Sequence, residues 1–514
     1  MRRPLRNLSI ALRLAWAGLQ PRRQPMESCF EGAGLQPRRK KPAKSGALAP
    51  EGKLGLAVTA FVVLLAGCNV GPRYTRPNVP APPAFRGADD AAVSSDAQSS
   101  LGDQQWSQVF QDPELQELIR KALANNYDLR IAARRITEQQ AQVQITRSQQ
   151  FPTVSVGGLG LGADIPALSN TISNPLAEGS FSLSASWNPD FWGYYRKQTE
   201  NARDTLLAQT WAQRAVRLTL VEDVATDYLQ LRALDNQLAI ARQTLLVRQQ
   251  SLDLTNTLEK GGAAPLSDVR QAEELLYTAS SQIPQLEEQI QQEENALHLL
   301  LGENPGPIAR VAAHTITPPP QDLPPGIPSQ LLARRPDIEE AEAKLKAANA
   351  NVSVARAQFF PQLSLSGSAG VGGDSFSNIF TTGSRTLYGL GQLTQPIFEG
   401  GKLRGQLNLS KETEQEMILN YQKTIAGAFR DVSNALIALN KQRAYRIEQE
   451  KLVAAAQDGT RLARIRYQGG AASYTEVLTS DSTLFSAQLN LVTAQQGEAL
   501  ALVQLYAALG GGWN

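Results

Sequence analysis

The chain has 514 residues, of which 42% are hydrophobic, 19% charged and 6% aromatic, a composition of neither a disordered chain nor a many-pass helical membrane protein. Its net charge of +2 is uneven: residues 1–68 hold 12 basic and 3 acidic side chains and the remainder 38 and 45, so nothing points to nucleic-acid binding. The cysteines, Cys29 and Cys68, and the histidines, His298 and His314, form no zinc-like cluster, and no G-x-S-x-G, P-loop or H-E-x-x-H pattern marks an enzyme.

Residues 1–67 read as a leader. Arg38-Arg39-Lys40-Lys41, Lys44 and Lys53 precede the 13-residue apolar run Leu54–Ala66. That run is shorter than the roughly 18–20 residues a spanning helix needs, and basic, then apolar, then small residues describe a secretory signal. It ends Leu65-Ala66-Gly67-Cys68, which resembles the lipobox of bacterial lipoproteins. The resemblance implies cleavage before Cys68 and a covalent N-acyl diacylglycerol lipid on its thiol and new amine, with no other cofactor. The alternative is a buried Cys closing a core helix. Several acyl chains anchor stably where one does not. Asn69, rather than an inner-membrane-retaining aspartate, follows. Gly18-Leu19-Gln20-Pro21-Arg22-Arg23 recurs as Gly34-Leu35-Gln36-Pro37-Arg38-Arg39, and the leader exceeds the usual 15–30 residues. The expectation is a start site downstream of about residue 40.

Residues 68–105 are predicted to be a lipid-anchored extended tether. Gly71-Pro72-Arg73-Tyr74-Thr75-Arg76-Pro77-Asn78-Val79-Pro80-Ala81-Pro82-Pro83 is too dense in proline for a helix.

The remainder reads as two copies of one unit, 106–304 and 328–514, joined by a linker at 305–327. Phe151-Pro152 matches Phe360-Pro361, Asp223-Val224 matches Asp431-Val432, Gly261-Gly262-Ala263 matches Gly469-Gly470-Ala471, and Leu301-Gly302 matches Leu509-Gly510. The offsets are all 208 or 209, far longer than solenoid repeats. Each unit is predicted as helix, strand, loop, strand, very long helix and second long helix. Val224, Leu231, Leu238, Leu245 and Leu252 lie seven apart, as do Val269, Leu276, Ile283, Ile290 and Leu297. These are coiled-coil seams. A helix from about Arg196 to Leu258 would span roughly 95 Å. Pro284, opposite Val492 in the second copy, predicts a kink.

In the strands, Phe181, Leu183, Ala185 and Trp187 alternate with Ser182, Ser184, Ser186 and Asn188. Leu363, Leu365, Ala369 and Val371 share one parity, and Ser364, Ser366, Ser368 and Gly370 the other. Apolar residues on one face and hydroxyls or glycine on the other fit a membrane strand around a wet lumen, and equally a half-buried soluble strand. Secretion with a lipid anchor favours the membrane. Four strands cannot close in lipid, because open edges leave backbone groups unpaired. The predicted fold is therefore mostly α with β: a trimeric β-barrel of four strands per chain and twelve in total, continued by a long α-helical coiled-coil periplasmic tunnel.

Several segments together resemble the TolC/OprM class of outer-membrane efflux factors, in its NodT-type lipoprotein branch. They are Cys68 with Gly71-Pro72-x-Tyr74-x-x-Pro77; Trp106-x-x-x-Phe110-x-Asp112-Pro113-x-Leu115; Leu331-Leu332-Ala333-Arg334-Arg335-Pro336-Asp337-Ile338; Ala355-Arg356-Ala357-x-Phe359-Phe360-Pro361; and Pro396-Ile397-Phe398-x-Gly400-Gly401. The resemblance runs from about Ala57 to Trp513. It implies a homotrimer in the outer membrane that extends into the periplasm, with a periplasmic adaptor (membrane fusion) protein and an inner-membrane RND pump as partners. The implied function is a passive export duct for drugs, toxic organics or metal ions, and not an enzyme. A type I protein-secretion duct is the alternative on the same fold. A lipid-anchored structural coiled coil is the alternative of another class.

The resemblance also implies a periplasmic gate at the turns Gly261–Pro265 and Gly469–Ser473. Asp268 falls on an acidic link position, Tyr467 on its tyrosine partner and Glu476 on a ring acid. Ala472 replaces an arginine link and Thr479 a second ring aspartate, which leaves about three ring charges per trimer instead of six. Ser267 and Asp268 also suit plain helix caps.

Overall fold

Two helices of 67 residues each set the scale of the fold, roughly 100 Å apiece at 1.5 Å per residue. The computed structural model describes residues 70–87, 100–163, 176–310, 328–373 and 381–511. Cys68, the leader and linker residues 311–327 lie outside the described residues.

The first repeat runs α1 (Trp106–Val109), α2 (Pro113–Asn125), α3 (Tyr127–Ser148), β1 (Thr153–Ala163), β2 (Leu176–Trp187), α4 (Tyr194–Lys260) and α5 (Leu266–Leu301). The second runs α6 (Pro328–Arg334), α7 (Pro336–Ala357), β3 (Gln362–Gly373), β4 (Arg385–Thr394), α8 (Lys402–Gln468) and α9 (Tyr474–Ala508). The predicted element order thus occurs twice. The backbone repeats it at three left-handed glycine pairs, each 208 positions apart: Gly193 and Gly401 before the long helices, Gly262 and Gly470 at the helix turns, Gly302 and Gly510 after the last helices.

The heptad residues explain why the long helices pair. Val224 and Leu231 are fully buried, as is Leu297 on α5, and Val269, Leu276 and Ile290 on α5 are buried. The second repeat breaks this pattern. Arg446 and Glu498 occupy the positions of Leu238 and Ile290, and Glu498, 1% exposed, is paired with both Arg443 and Arg446. α5 runs on through Pro284. Just before it, the Ser280 and Ser281 hydroxyls donate to the carbonyls of Tyr277 and Thr278.

The strands form one antiparallel sheet in the order β1-β2-β3-β4, so the two repeats join at β2–β3. The register sorts the faces. Leu183 lies between Val156 and Ala369, and Phe181 between Gly158 and Val371. On the opposite face Ser184 lies between Ser155 and Ser368, with its hydroxyl 3.5 Å from that of Ser368. β4 departs from this rule, since Tyr388 pairs with Ser368 and Leu390 with Ser366 on the hydroxyl face.

Dense proline keeps residues 70–87 free of helix and strand, and they are strapped down. The aromatic and charged residues between the prolines hold them. Tyr74 donates to Glu342, Arg76 pairs with Glu342 at 2.8 Å and donates to the Tyr421 hydroxyl, and Phe85 is buried against Phe429. The Arg-Arg-Pro-Asp-Ile motif is a second clasp. Arg335 grips Asp337 with two nitrogens, reaches Asp431 on α8 at 3.5 Å and donates to the Ala508 carbonyl closing α9, while Arg334 pairs with Asp103. Near the sheet Trp192 stacks on Phe360 and donates to the Pro361 carbonyl, locking the first repeat to the second.

Candidate functional site

The turns between α4 and α5 and between α8 and α9 have the same backbone. In the first, Ala263 N–H donates to Leu258 and Gly262 N–H to Glu259; in the second, Ala471 donates to Arg466 and Gly470 to Tyr467. This is a Schellman closure, and it needs a left-handed residue at Gly262 and Gly470. Two like hairpins therefore end side by side in sequence logic, and the predicted gate residues flank them.

Asp268 sits half-buried in the first turn of α5. It is not a helix cap. Pro265 takes the N-cap position and no side chain caps this helix; the Ser267 hydroxyl instead donates to Asp268 at 3.3 Å. Tyr467, half-buried at the end of α8, lies near enough to feel that carboxylate. Burial first, then the Asp268 charge, push its hydroxyl above the ordinary tyrosine range, so it remains a protonated donor. Its ring meets Tyr474 at 5.2 Å between centroids, and the buried Tyr474 shares a 2.7 Å hydrogen bond with Ser251 on α4. Around these rings Leu252, Val269, Ala272, Leu276, Ala463 and Val477 form a small apolar core of their own.

Glu476 stands apart from this pair. It takes Arg466 Nη1 at 2.7 Å, and Arg466 also donates to the Ala471 carbonyl inside the turn. The chain thus places a cation beside Glu476, which the expectation of about three ring charges per trimer left out.

The outer membrane efflux protein family model matches residues 118–303 and again 327–511. The chain belongs to the outer membrane efflux protein family. It is 36% identical over 467 residues to the probable efflux pump outer membrane protein TtgC of Pseudomonas putida, covering 90% of this chain and 95% of that protein. It is 33% identical to the cation efflux system protein CusC of Escherichia coli K12, covering 88% and 98%. Its fold superposes on the open state of the Neisseria gonorrhoeae MtrE outer membrane channel with a TM-score of 0.76, at 29% identity, covering 87% and 99%.

This efflux protein is therefore an outer-membrane channel component with a periplasmic extension, and a passive conduit, not an enzyme. Above the two turns stands one group that the sequence pattern did not single out. Arg248 on α4 is 3% exposed, donates to Asp481 on α9 at 3.0 Å and to the Leu275 carbonyl on α5 at 2.7 Å, and lies over the Phe485 ring. Asp481 also takes Arg464 on α8 at 3.3 Å. Arg248 and Asp481 stand 233 residues apart, beyond any periodic signal. A charged residue close to an apolar seam, four before Leu252, was the one available hint.

Proposed function

We propose that three copies close a twelve-stranded barrel and a helical tunnel, forming the exit duct of a tripartite efflux system. One observation carries this reading. A four-stranded sheet, in which β1 to β3 present a Val/Leu/Phe face and a Ser/Gly face, has both edge strands exposed, and in lipid each unpaired backbone group would cost several kcal/mol. Its strands of 10 to 12 residues suit the bilayer. Beyond β4, Ile397 and Phe398 are 95% and 88% exposed, an apolar surface that a neighbouring copy would cover. A periplasmic adaptor and an inner-membrane RND pump complete the system, and drugs, toxic organics or metal ions pass through it. Relatives named for antibiotic, toluene and cation efflux support that cargo range. A lipid on Cys68 anchors the chain, and Asp268, Tyr467 and Glu476 line the periplasmic gate.

Native mass measurement in mild detergent should give a trimer with three diacylglycerol-derived lipids. Labelled palmitate should enter the wild type and not Cys68→Ser. A monomer that carries no current across liposomes would overturn the assembly.

A further inference from the structure

Arg248 lies roughly 20 Å up α4 from the turn at Gly261. It is one point at which all four long helices are tied together. Its guanidinium joins α4 to α5 through the Leu275 carbonyl and to α9 through Asp481 and the Phe485 face. Asp481 brings in α8 through Arg464, and Thr460 on α8 donates to the Ser480 carbonyl one residue away. Four long helices, two from each repeat, meet within one polar cluster. Between it and the turns, Ser251, Tyr474 and Tyr467 carry the contact on toward Asp268.

We infer that Arg248 is a positioning residue for gating, a fixed joint between the two helix pairs below which the helix ends move. This rests on the gate proposed at the turns. The contrast in burial supports it. Parting Arg248 from Asp481 would strand a desolvated guanidinium, whereas the exposed Arg466–Glu476 pair separates into water at little cost. The duplication sharpens it. The positions 208 residues away from Arg248 and Asp481 are Ala456 and Glu273, and Glu273 pairs with Arg270 on its own helix. Among the described residues this Arg–Asp tie stands on the α4–α9 seam and is not repeated 208 residues away. The two repeats look alike in backbone but differ in this tie, and the side of the helix pairs away from it is the one that parts.

The test compares closed-state conductance in planar bilayers, well below the melting temperature, for the full-length protein. Arg248→Met and Asp481→Asn should each raise it several-fold. Arg248→Lys keeps the charge but cannot serve both acceptors, and should fall between. Arg464→Gln alters only the exposed partner and should stay near wild type. Added to Asp268→Ala with Tyr467→Phe, Arg248→Met should give little further current, because both act on one aperture. Lower melting with unchanged conductance in Arg248→Met and Asp481→Asn would overturn the joint, provided the turn variant opens. If the turn variant also leaves conductance unchanged, the gate falls and the joint with it.

Discussion

Arg466 and Glu476 face each other within one chain at 2.7 Å, so Glu476 stands beside the second turn with its own counter-charge. Both are partly exposed, and the hydrogen bond itself contributes little to stability. The charges matter regardless of that bond, because each acts on ions within a Debye length of roughly 8–10 Å.

Arg466→Gln should therefore convert a weakly selective aperture into a cation-selective one. Glu476→Gln should shift it toward anions. Reversal potentials in a potassium chloride gradient measure both. A wild-type reversal potential in Arg466→Gln would show that this pair does not face the conducting path.

The turn itself makes a second forecast. Tyr467 stays protonated beside Asp268, so its hydroxyl can donate to an acceptor close to the turn. Asp268→Ala with Tyr467→Phe should raise single-channel conductance or vancomycin entry, with little change in the melting of the assembly. Since no side chain caps α5, the loss of about 0.5–2 kcal/mol typical of a missing N-cap should not appear. A loss of that size without added current would return Asp268 to a purely structural role.

What the sequence made legible was local or periodic. Gly262 and Gly470 mark the turns because only a left-handed residue closes them, and Val224 to Leu252 mark the seam because apolar residues, buried or half-buried, recur every seven. The serine and leucine alternation of β2 and β3 gave the sheet faces directly, since side chains in a strand alternate. Asp268 was open to a capping reading because sequence could not tell that Pro265, three residues earlier, takes the N-cap position. Arg248–Asp481 and Arg76–Glu342 stayed hidden for another reason. Each joins residues far apart in the chain, and spacing carries no sign of which charges will meet.

A group of acids at the middle of α4 and in the last third of α5 gives a pH dependence. Burial, then the Asp227 charge, lift Glu293 from 4.5 to about 7; burial, then Asp223, lift Asp227 from 3.8 to about 6. A carboxyl whose folded value is raised favours the folded state only while protonated. Its contribution is complete below the unfolded value and is lost as pH rises through the folded one. Thermal stability should thus decline from about pH 4 to pH 7 on this account. Glu293→Gln should melt with wild type near pH 4 and above it at pH 8, by on the order of 1 kcal/mol after screening of these half-buried groups. Parallel melting curves for the two proteins at every pH would reject the assignment.

Glu498 provides the most direct comparison between the repeats. It is buried in α9, with one oxygen 3.0 Å from Arg443 and the other taken by Arg446. The same places in the first repeat hold Ile290 and Leu238, an apolar pair that fills its seam without charge. Glu498→Gln keeps the shape but removes the counter-charge shared by two arginines. Breaking a buried pair in this way costs about 3–5 kcal/mol, and the low end applies here because Arg446 keeps Glu450 at 2.5 Å. Glu498→Ile with Arg446→Leu installs the first repeat's own solution. Arg443, 20% exposed, can turn toward solvent, so nothing charged need remain buried. Apolar replacement of a buried pair is often neutral or stabilising by about 1–4 kcal/mol, and the double variant should melt at or above wild type. Denaturant titration of the assembled protein resolves the two. If Glu498→Gln melts like wild type, or the double variant falls below the single one, the two seams are not interchangeable.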